Sequence, residues 1–149
     1  MFSKGNKGWP RKYWRELVDK LDGPVLQMVS NKSEMNEGLG NTKVIVAEPF
    51  RVACAVVNEA KMLITTDGGL HHAAAALRKP AVVIWTGFSH PRTLGYNFHC
   101  NVRYDDTDPC GMKIQCDHCK KMAEKLTPDM VYEATREYLD ELPTNIHKG

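Results

Sequence analysis

The sequence predicts an α/β domain whose parallel sheet is covered on both faces by helices. Two observations carry that prediction. Four short, continuous apolar runs, at residues 25–29, 43–47, 62–65 and 81–85, have the length and composition of buried strands. Between and around them lie segments with apolar residues at helical spacing, which is the alternation that builds a parallel sheet with right-handed crossovers. With Phe98–Tyr104 as an edge strand, the sheet holds about four to six strands.

In chain order, Trp9-Pro10 opens the first helix, with proline where a first turn tolerates it. Tyr13, Trp14, Leu17, Val18 and Leu21 then recur at helical spacing, and Asp22-Gly23-Pro24 stops the run. Residues 31–41 are polar and glycine-containing and read as a loop with room for one helical turn. Pro49 starts a helix over 50–60, with Val52, Ala53, Val56 and Val57 on one side. Asp67-Gly68-Gly69 is a turn, 70–77 an alanine-rich helix, and Lys79-Pro80 its stop. Residues 98–126, the edge strand included, form a cysteine-containing loop region. Thr127-Pro128-Asp129 caps a last helix over 128–142.

The 149 residues, 42% of them hydrophobic, make one domain spanning 1–149, large enough to bury roughly two-thirds of its unfolded surface without a disulfide or metal. The balance of 20 Lys+Arg against 18 Asp+Glu argues against nucleic acid as a partner. No apolar run approaches the ~20 residues of a membrane span, and the polar, basic start shows no secretory signal, so a cytoplasmic location is expected. Five cysteines, an odd number, do not fit a secreted disulfide framework.

The richest segment runs from Leu63 through Asp67-Gly68-Gly69-Leu70-His71-His72 to Leu77. It is a strand, a glycine turn and a helix start. Ligands of open parallel sheets bind outside the carboxyl ends of the strands. A helix start offers unpaired N–H groups and partial positive charge, suited to phosphate, and glycines let a ligand approach the backbone. The same residues also fit a plain tight turn with one histidine buried and one exposed.

The wider context resembles a known family. The run from Asp67 to Trp85, with Asp67, Gly68, Gly69 and His72 in the motif positions, is similar to the C-terminal domain of family 9 glycosyltransferases, which include the lipopolysaccharide heptosyltransferases. Lys7-Gly8-Trp9-Pro10 resembles that family's Lys-x-Trp-Pro entry, and Gly95-Tyr96-Asn97-Phe98-His99 its Gly-Tyr-x-x-His stretch. The resemblance implies a single Rossmann-like three-layer domain like the C-terminal half of a GT-B glycosyltransferase. It implies a nucleotide-sugar partner (ADP-heptose-like, or another ADP-, UDP- or GDP-linked sugar), held by Lys7, Asp67, Gly68, Gly69 and His72, with Thr86 and Gly87 touching sugar or phosphate. Ser3 lies near a position where a hydroxyl helps in such proteins. Glu34 follows the first strand and is a poor fit to a ribose or base pocket.

Glycosyl transfer of this kind needs the leaving diphosphate's charge stabilised, which Lys7, His72 and the helix start would do without a cofactor. The general base is expected in an acceptor-binding half that this chain does not resemble, so no catalytic residue is assigned within it. Transfer then requires an acceptor domain, from another chain, a longer protein or self-association. The alternative is a non-catalytic nucleotide-sugar-binding or interaction module, stabilised by zinc.

That zinc would use Cys110, Cys116 and Cys119, with His99, Cys100 or His118 completing a tetrahedron. Free thiols packing a loop, or a disulfide, fit the same cysteines. Cys54 reads as a small core residue. Trp9 and Trp14 read as packing residues, while Trp85 fits both packing and donor contact. His90 and Arg92 sit in a loop on the ligand side, and Asp105-Asp106-Thr107-Asp108 reads as a solvated turn.

Overall fold

A computed structural model describes residues 5–143. Ser3 lies outside the described residues. Five strands, all parallel to their partners, alternate with helices: β1 (Val25–Val29), β2 (Thr42–Val46), β3 (Leu63–Thr66), β4 (Ala81–Ile84) and β5 (Cys100–Val102). The helices are α1 (Arg11–Lys20), α2 (Phe50–Glu59), α3 (Gly69–Ala76), α4 (Pro91–Leu94), α5 (Asp117–Lys125) and α6 (Pro128–Glu141). Among the described residues, no helix is long and apolar enough to cross a membrane.

The three-layer arrangement is written in β4. Side chains alternate across a strand. Ala81, Val83 and Trp85 join a cluster with Ala53, Val57, Leu70 and Ala74 of α2 and α3. Val82 and Ile84 join Trp9, Leu17, Ala123, Leu126 and Val131 on the opposite face, under α1, α5 and α6. All four β4 residues are fully buried. Each large side chain buried this way contributes roughly 1.5–3 kcal/mol, so a charge at Val83 would break the fold.

The strands divide into two hydrogen-bonded ladders, β1-β2 and β3-β4-β5, rather than one continuous sheet. The ladders are joined by packing instead: Met28 of β1 and Ala47, just past β2, sit in the cluster that holds Leu63 and Val83. In β1, buried Gln27 accepts from Leu39 N–H at 2.9 Å and donates to the Glu37 carbonyl at 3.1 Å, which fastens the 31–41 loop with its single helical turn at Lys32–Glu34. Glu34 turns back on this loop, accepting from the Ser30 hydroxyl at 3.0 Å.

Several elements depart from expectation. Residues 117–125, expected within a cysteine loop, form α5. Cys119, Met122, Ala123 and Leu126 are buried along one stripe at i, i+3, i+4 and i+7, a helical signal obscured by the surrounding lysines and cysteines. The loop after β4 contains α4, begun by Pro91 and capped by His90, whose Nδ1 accepts the Arg92 N–H at 3.0 Å. The edge strand β5 pairs only over Cys100–Val102, shorter than 98–104.

Candidate nucleotide site

The residues Lys7, Asp67, Gly68, Gly69 and His72 converge at the carboxyl end of β3. Asp67 directly follows the strand and is 4% exposed. Its Oδ2 pairs with Lys7 Nζ at 2.9 Å and also accepts the Ser89 hydroxyl. Lys7 comes from the Gly5–Lys7 helical turn and lies over the Phe88 ring, 4.8 Å from its centre. A buried carboxylate is costly unless paired and hydrogen-bonded. The pair therefore fixes an ammonium in front of the start of α3.

His71 and His72 have different roles. His71 is fully buried. Its Nδ1 accepts the Gly68 N–H at 3.1 Å and its Nε2 donates to the Leu94 carbonyl at 3.1 Å, so it closes the turn. Burial lowers its pKa, which keeps it neutral. His72 is exposed, and its Nδ1 bonds the Tyr96 hydroxyl at 2.9 Å. Its Nε2 makes no hydrogen bond to the described residues.

The Gly95-Tyr96-Asn97-Phe98-His99 stretch buttresses this histidine pair. Gly95 is dictated by space, since a Cβ there would stand 2.6 Å from the Pro91 carbonyl oxygen. Tyr96 packs edge-on against His71, His72 and His99. His99 is buried near the Lys79 backbone, and burial lowers its pKa. Gly69 is different: it is exposed, and a Cβ would meet only the Phe50 ring at 3.5 Å, an ordinary contact. Nothing in the protein's own packing demands glycine at 69.

Thr86 and Gly87 are both buried. Thr86 is buried and donates to the Asn6 carbonyl at 2.6 Å. Gly87 is covered by His118 and Cys119 of α5, whose nearest atoms lie 2.7–3.2 Å from the position of an added Cβ. Trp85 is a packing residue, 1% exposed, with its indole N–H donated to Asn101 Oδ1 at 2.9 Å. Trp9 likewise is buried and donates to the Leu126 carbonyl at 2.8 Å. His90 and Arg92 do not face the site as free groups. Both bond Asp106, at 2.9 and 3.1 Å, so Asp106 holds the loop after β4 although it is itself exposed. Asp105 accepts from the Thr107 hydroxyl at 2.7 Å, which lowers its pKa.

Cys110, Cys116 and Cys119 do come together, and His118 joins them; the four ligand atoms lie within 4.8 Å of one another. His99 and Cys100 do not take part. His99 packs beside Tyr96, and Cys100 directs its thiol at the Ala134 carbonyl, 3.7 Å away. A cleft of about 350 Å³ lies between the 5–10 segment and α5, lined by Asn6, Trp9, Cys116 and Lys120, on the cysteine side rather than at the Asp67 turn.

Comparison with known proteins agrees with this fold. The structure is similar to E. coli ADP-heptose lipopolysaccharide heptosyltransferase II, with a TM-score of 0.70 and 21% identity over 92% of this chain and 43% of that one. It is also similar to E. coli heptosyltransferase WaaC with ADP, with a TM-score of 0.66 and 19% identity over 94% of this chain and 42% of that one. In sequence it is 24% identical to lipopolysaccharide heptosyltransferase 1 of E. coli K12, over 62% of this chain and 32% of that protein. The chain thus spans about a third of the length of the curated relatives it matches. The family model for glycosyltransferase family 9 (heptosyltransferase) matches residues 2–128. That match includes Lys7, the Asp67 turn, both histidines and the Tyr96 buttress, and the chain belongs to glycosyltransferase family 9, the heptosyltransferase family.

Proposed function

We propose that this chain is the donor-binding part of a family 9 glycosyltransferase and holds a nucleoside-diphosphate sugar at the Asp67 turn. One observation carries the reading: the Lys7–Asp67 ion pair places an ammonium beside the start of α3, at the carboxyl end of the sheet. The diphosphate lies across that helix start, where unpaired N–H groups and the positive end of the helix meet its charge. Lys7 supplies a cation, and His72, held by Tyr96, presents Nε2 to a phosphate or sugar oxygen. Exposed Gly69 lets the phosphate approach the backbone. These fixed dipoles and charges stabilise the leaving diphosphate as the glycosidic bond breaks. The structurally similar WaaC was solved with ADP, which makes adenosine the first nucleoside to try.

Asp67 is not the general base of such a transfer. Its buried carboxylate is already committed to Lys7, Ser89 and the turn. Deprotonating the acceptor hydroxyl falls to an acceptor-binding part, consistent with a chain that covers about two-fifths of its solved relatives. The test is calorimetric titration with ADP, UDP, GDP and their sugar conjugates, on the wild type and on His72→Ala. Saturable binding, weakened by the substitution, is expected. Absence of binding to every nucleotide, or binding that His72→Ala leaves unchanged, overturns the reading.

A further inference from the structure

The Cys110–Cys119 cluster is built differently from the Asp67 turn, and the difference points to a metal. At the turn, Asp67, His71 and His72 also lie close together, but their ligand atoms are taken by Lys7, the Gly68 N–H and Tyr96. In the cysteine cluster, the three thiols have mainly one another. The Sγ atoms stand 3.0 Å (Cys110–Cys119), 3.4 Å (Cys116–Cys119) and 3.6 Å (Cys110–Cys116) apart, and His118 closes the group. A tetrahedron with Zn–S bonds of about 2.3 Å has edges of about 3.8 Å, so an ion would enter with displacements of less than an ångström.

We propose that Cys110, Cys116, His118 and Cys119 bind one zinc ion as a Cys₃His structural site. The surroundings of Cys110 and Cys116 suit thiolates. The N–H groups of Met112 and Cys119 point at the sulfurs of Cys110 and Cys116, at 3.5 and 3.4 Å. Cys116 caps α5, where the helix's positive end favours a thiolate. Zinc with three thiolates carries a net charge of −1, and Lys113, Lys120 and Lys121 flank the ligands in sequence.

The local packing shows what such an ion would hold. Residues 111–115 are all exposed, Ile114 at 69%, so this loop buries no side chain of its own. It is tied down by Asn6, which donates to the carbonyls of Met112 (2.7 Å) and Ile114 (2.6 Å) and accepts the Cys116 N–H at 2.9 Å. The Cys110 N–H donates to the Gly87 carbonyl at 2.9 Å. A metal would pin the loop to α5 and to the turn after β4, with binding energy that hydrophobic burial does not supply here. A disulfide would use two of the four ligands and leave a thiol and His118 without a role.

The decisive measurement is metal content of protein purified under reducing conditions without added zinc, together with the spectrum of the cobalt-substituted form. One zinc per chain is expected, with thiolate-to-cobalt charge transfer and the intense visible bands of a tetrahedral site. Cys119 is buried, so its replacement endangers folding; Cys116→Ser and His118→Ala act at the more exposed end of the helix. Each should weaken cobalt affinity, Cys116→Ser by at least about 100-fold and His118→Ala by at least about 10-fold. Cys54→Ser and Cys100→Ser should keep full zinc. Folded, metal-free protein with all five thiols titratable, a disulfide within the cluster under those conditions, or zinc retained unchanged in Cys116→Ser would overturn the site.

Discussion

Breaking the Lys7–Asp67 pair separates a structural role from a binding role. At 2.9 Å, with an effective dielectric constant near 20, the two charges attract by about 6 kcal/mol before desolvation is counted. Most of that is offset, because the carboxylate is 5% exposed and lost its hydration on folding, whereas the ammonium is still 33% exposed and screened by water. A net coupling of about 1–2 kcal/mol is expected, between the values of surface and fully buried pairs. A double-mutant cycle of Lys7→Met, Asp67→Asn and the double variant, followed by urea unfolding, measures it. Lys7→Met should be the least stable single variant, since it leaves a buried carboxylate without its cation. Adding Asp67→Asn should recover part of the loss. Nucleotide affinity should follow another order. Lys7→Met removes a charge-assisted bond to phosphate, worth about 1.5–3 kcal/mol, or roughly 10- to 150-fold in Kd for ADP. Asp67→Asn keeps the ammonium but unpins it, and should cost less, about 3- to 10-fold. The double variant should bind no better than Lys7→Met, although it is more stable. If ADP affinity instead tracks stability through the cycle, or Lys7→Met changes it less than about twofold, Lys7 holds the fold together and does not meet the phosphates.

Three further outcomes follow from the same geometry. His72→Ala should weaken ADP by about 10-fold with little change in urea midpoint, because the side chain is exposed, and Tyr96→Phe should show a smaller loss of the same kind by calorimetry. Gly87→Ala should destabilise by about 1–3 kcal/mol in thermal or urea unfolding, since the added methyl collides with the His118 ring and the Cys119 backbone. Burial depresses the pKa of both His71 and His99, so the unfolded chain binds more protons once the pH falls below about 6.5. Stability should therefore hold above that pH and drop on acidification, by at most about 1.4 kcal/mol per pH unit for each histidine, and His99→Phe should remove one of the two contributions from the urea-derived profile.

How much of this was legible in the sequence differs from element to element. The central strands were readable because β4 is buried on both faces, so Ala81–Ile84 is a bare apolar run with no competing pattern. The boundary between the two ladders was not, because hydrogen bonding between strands leaves no mark on side-chain composition. Helix α5 was hidden by its double duty: Cys116 and Cys119 belong to the thiol cluster, and the lysines between its apolar positions make the segment read as a charged loop. At the site, Lys7, Asp67 and His72, named by the ordered motifs, lie in one neighbourhood, since each sits at or near the end of a regular element. They left Trp85 divided between packing and donor contact, because a strand's last residue can point to either rim, and here Asn101 takes its indole N–H.

His118 was one of three candidates for a place with the cysteines, whereas its packing against Gly87 and the contacts of Ser89 and Asn6 were harder to read, and the reason is the same for all. Each acts across a long stretch of chain: Ser89 on Asp67, His118 with Cys110 and against Gly87, Asn6 on the 112–116 loop and, through its carbonyl, on Thr86. No local period encodes such contacts. Asn6 is the most consequential, because its neighbour Lys7 reaches Asp67 while its own side chain gathers the loop that carries Cys110 and Cys116. The segment Gly5–Lys7 has no buried residue. Its position therefore rests on these polar contacts rather than on a hydrophobic anchor of its own, and Trp9, buried two residues later, supplies the nearest one. If Lys7 meets a phosphate as proposed, a turn this short and weakly packed holds it accurately only if the loop behind it is held too, and a metal at the thiol cluster would do that.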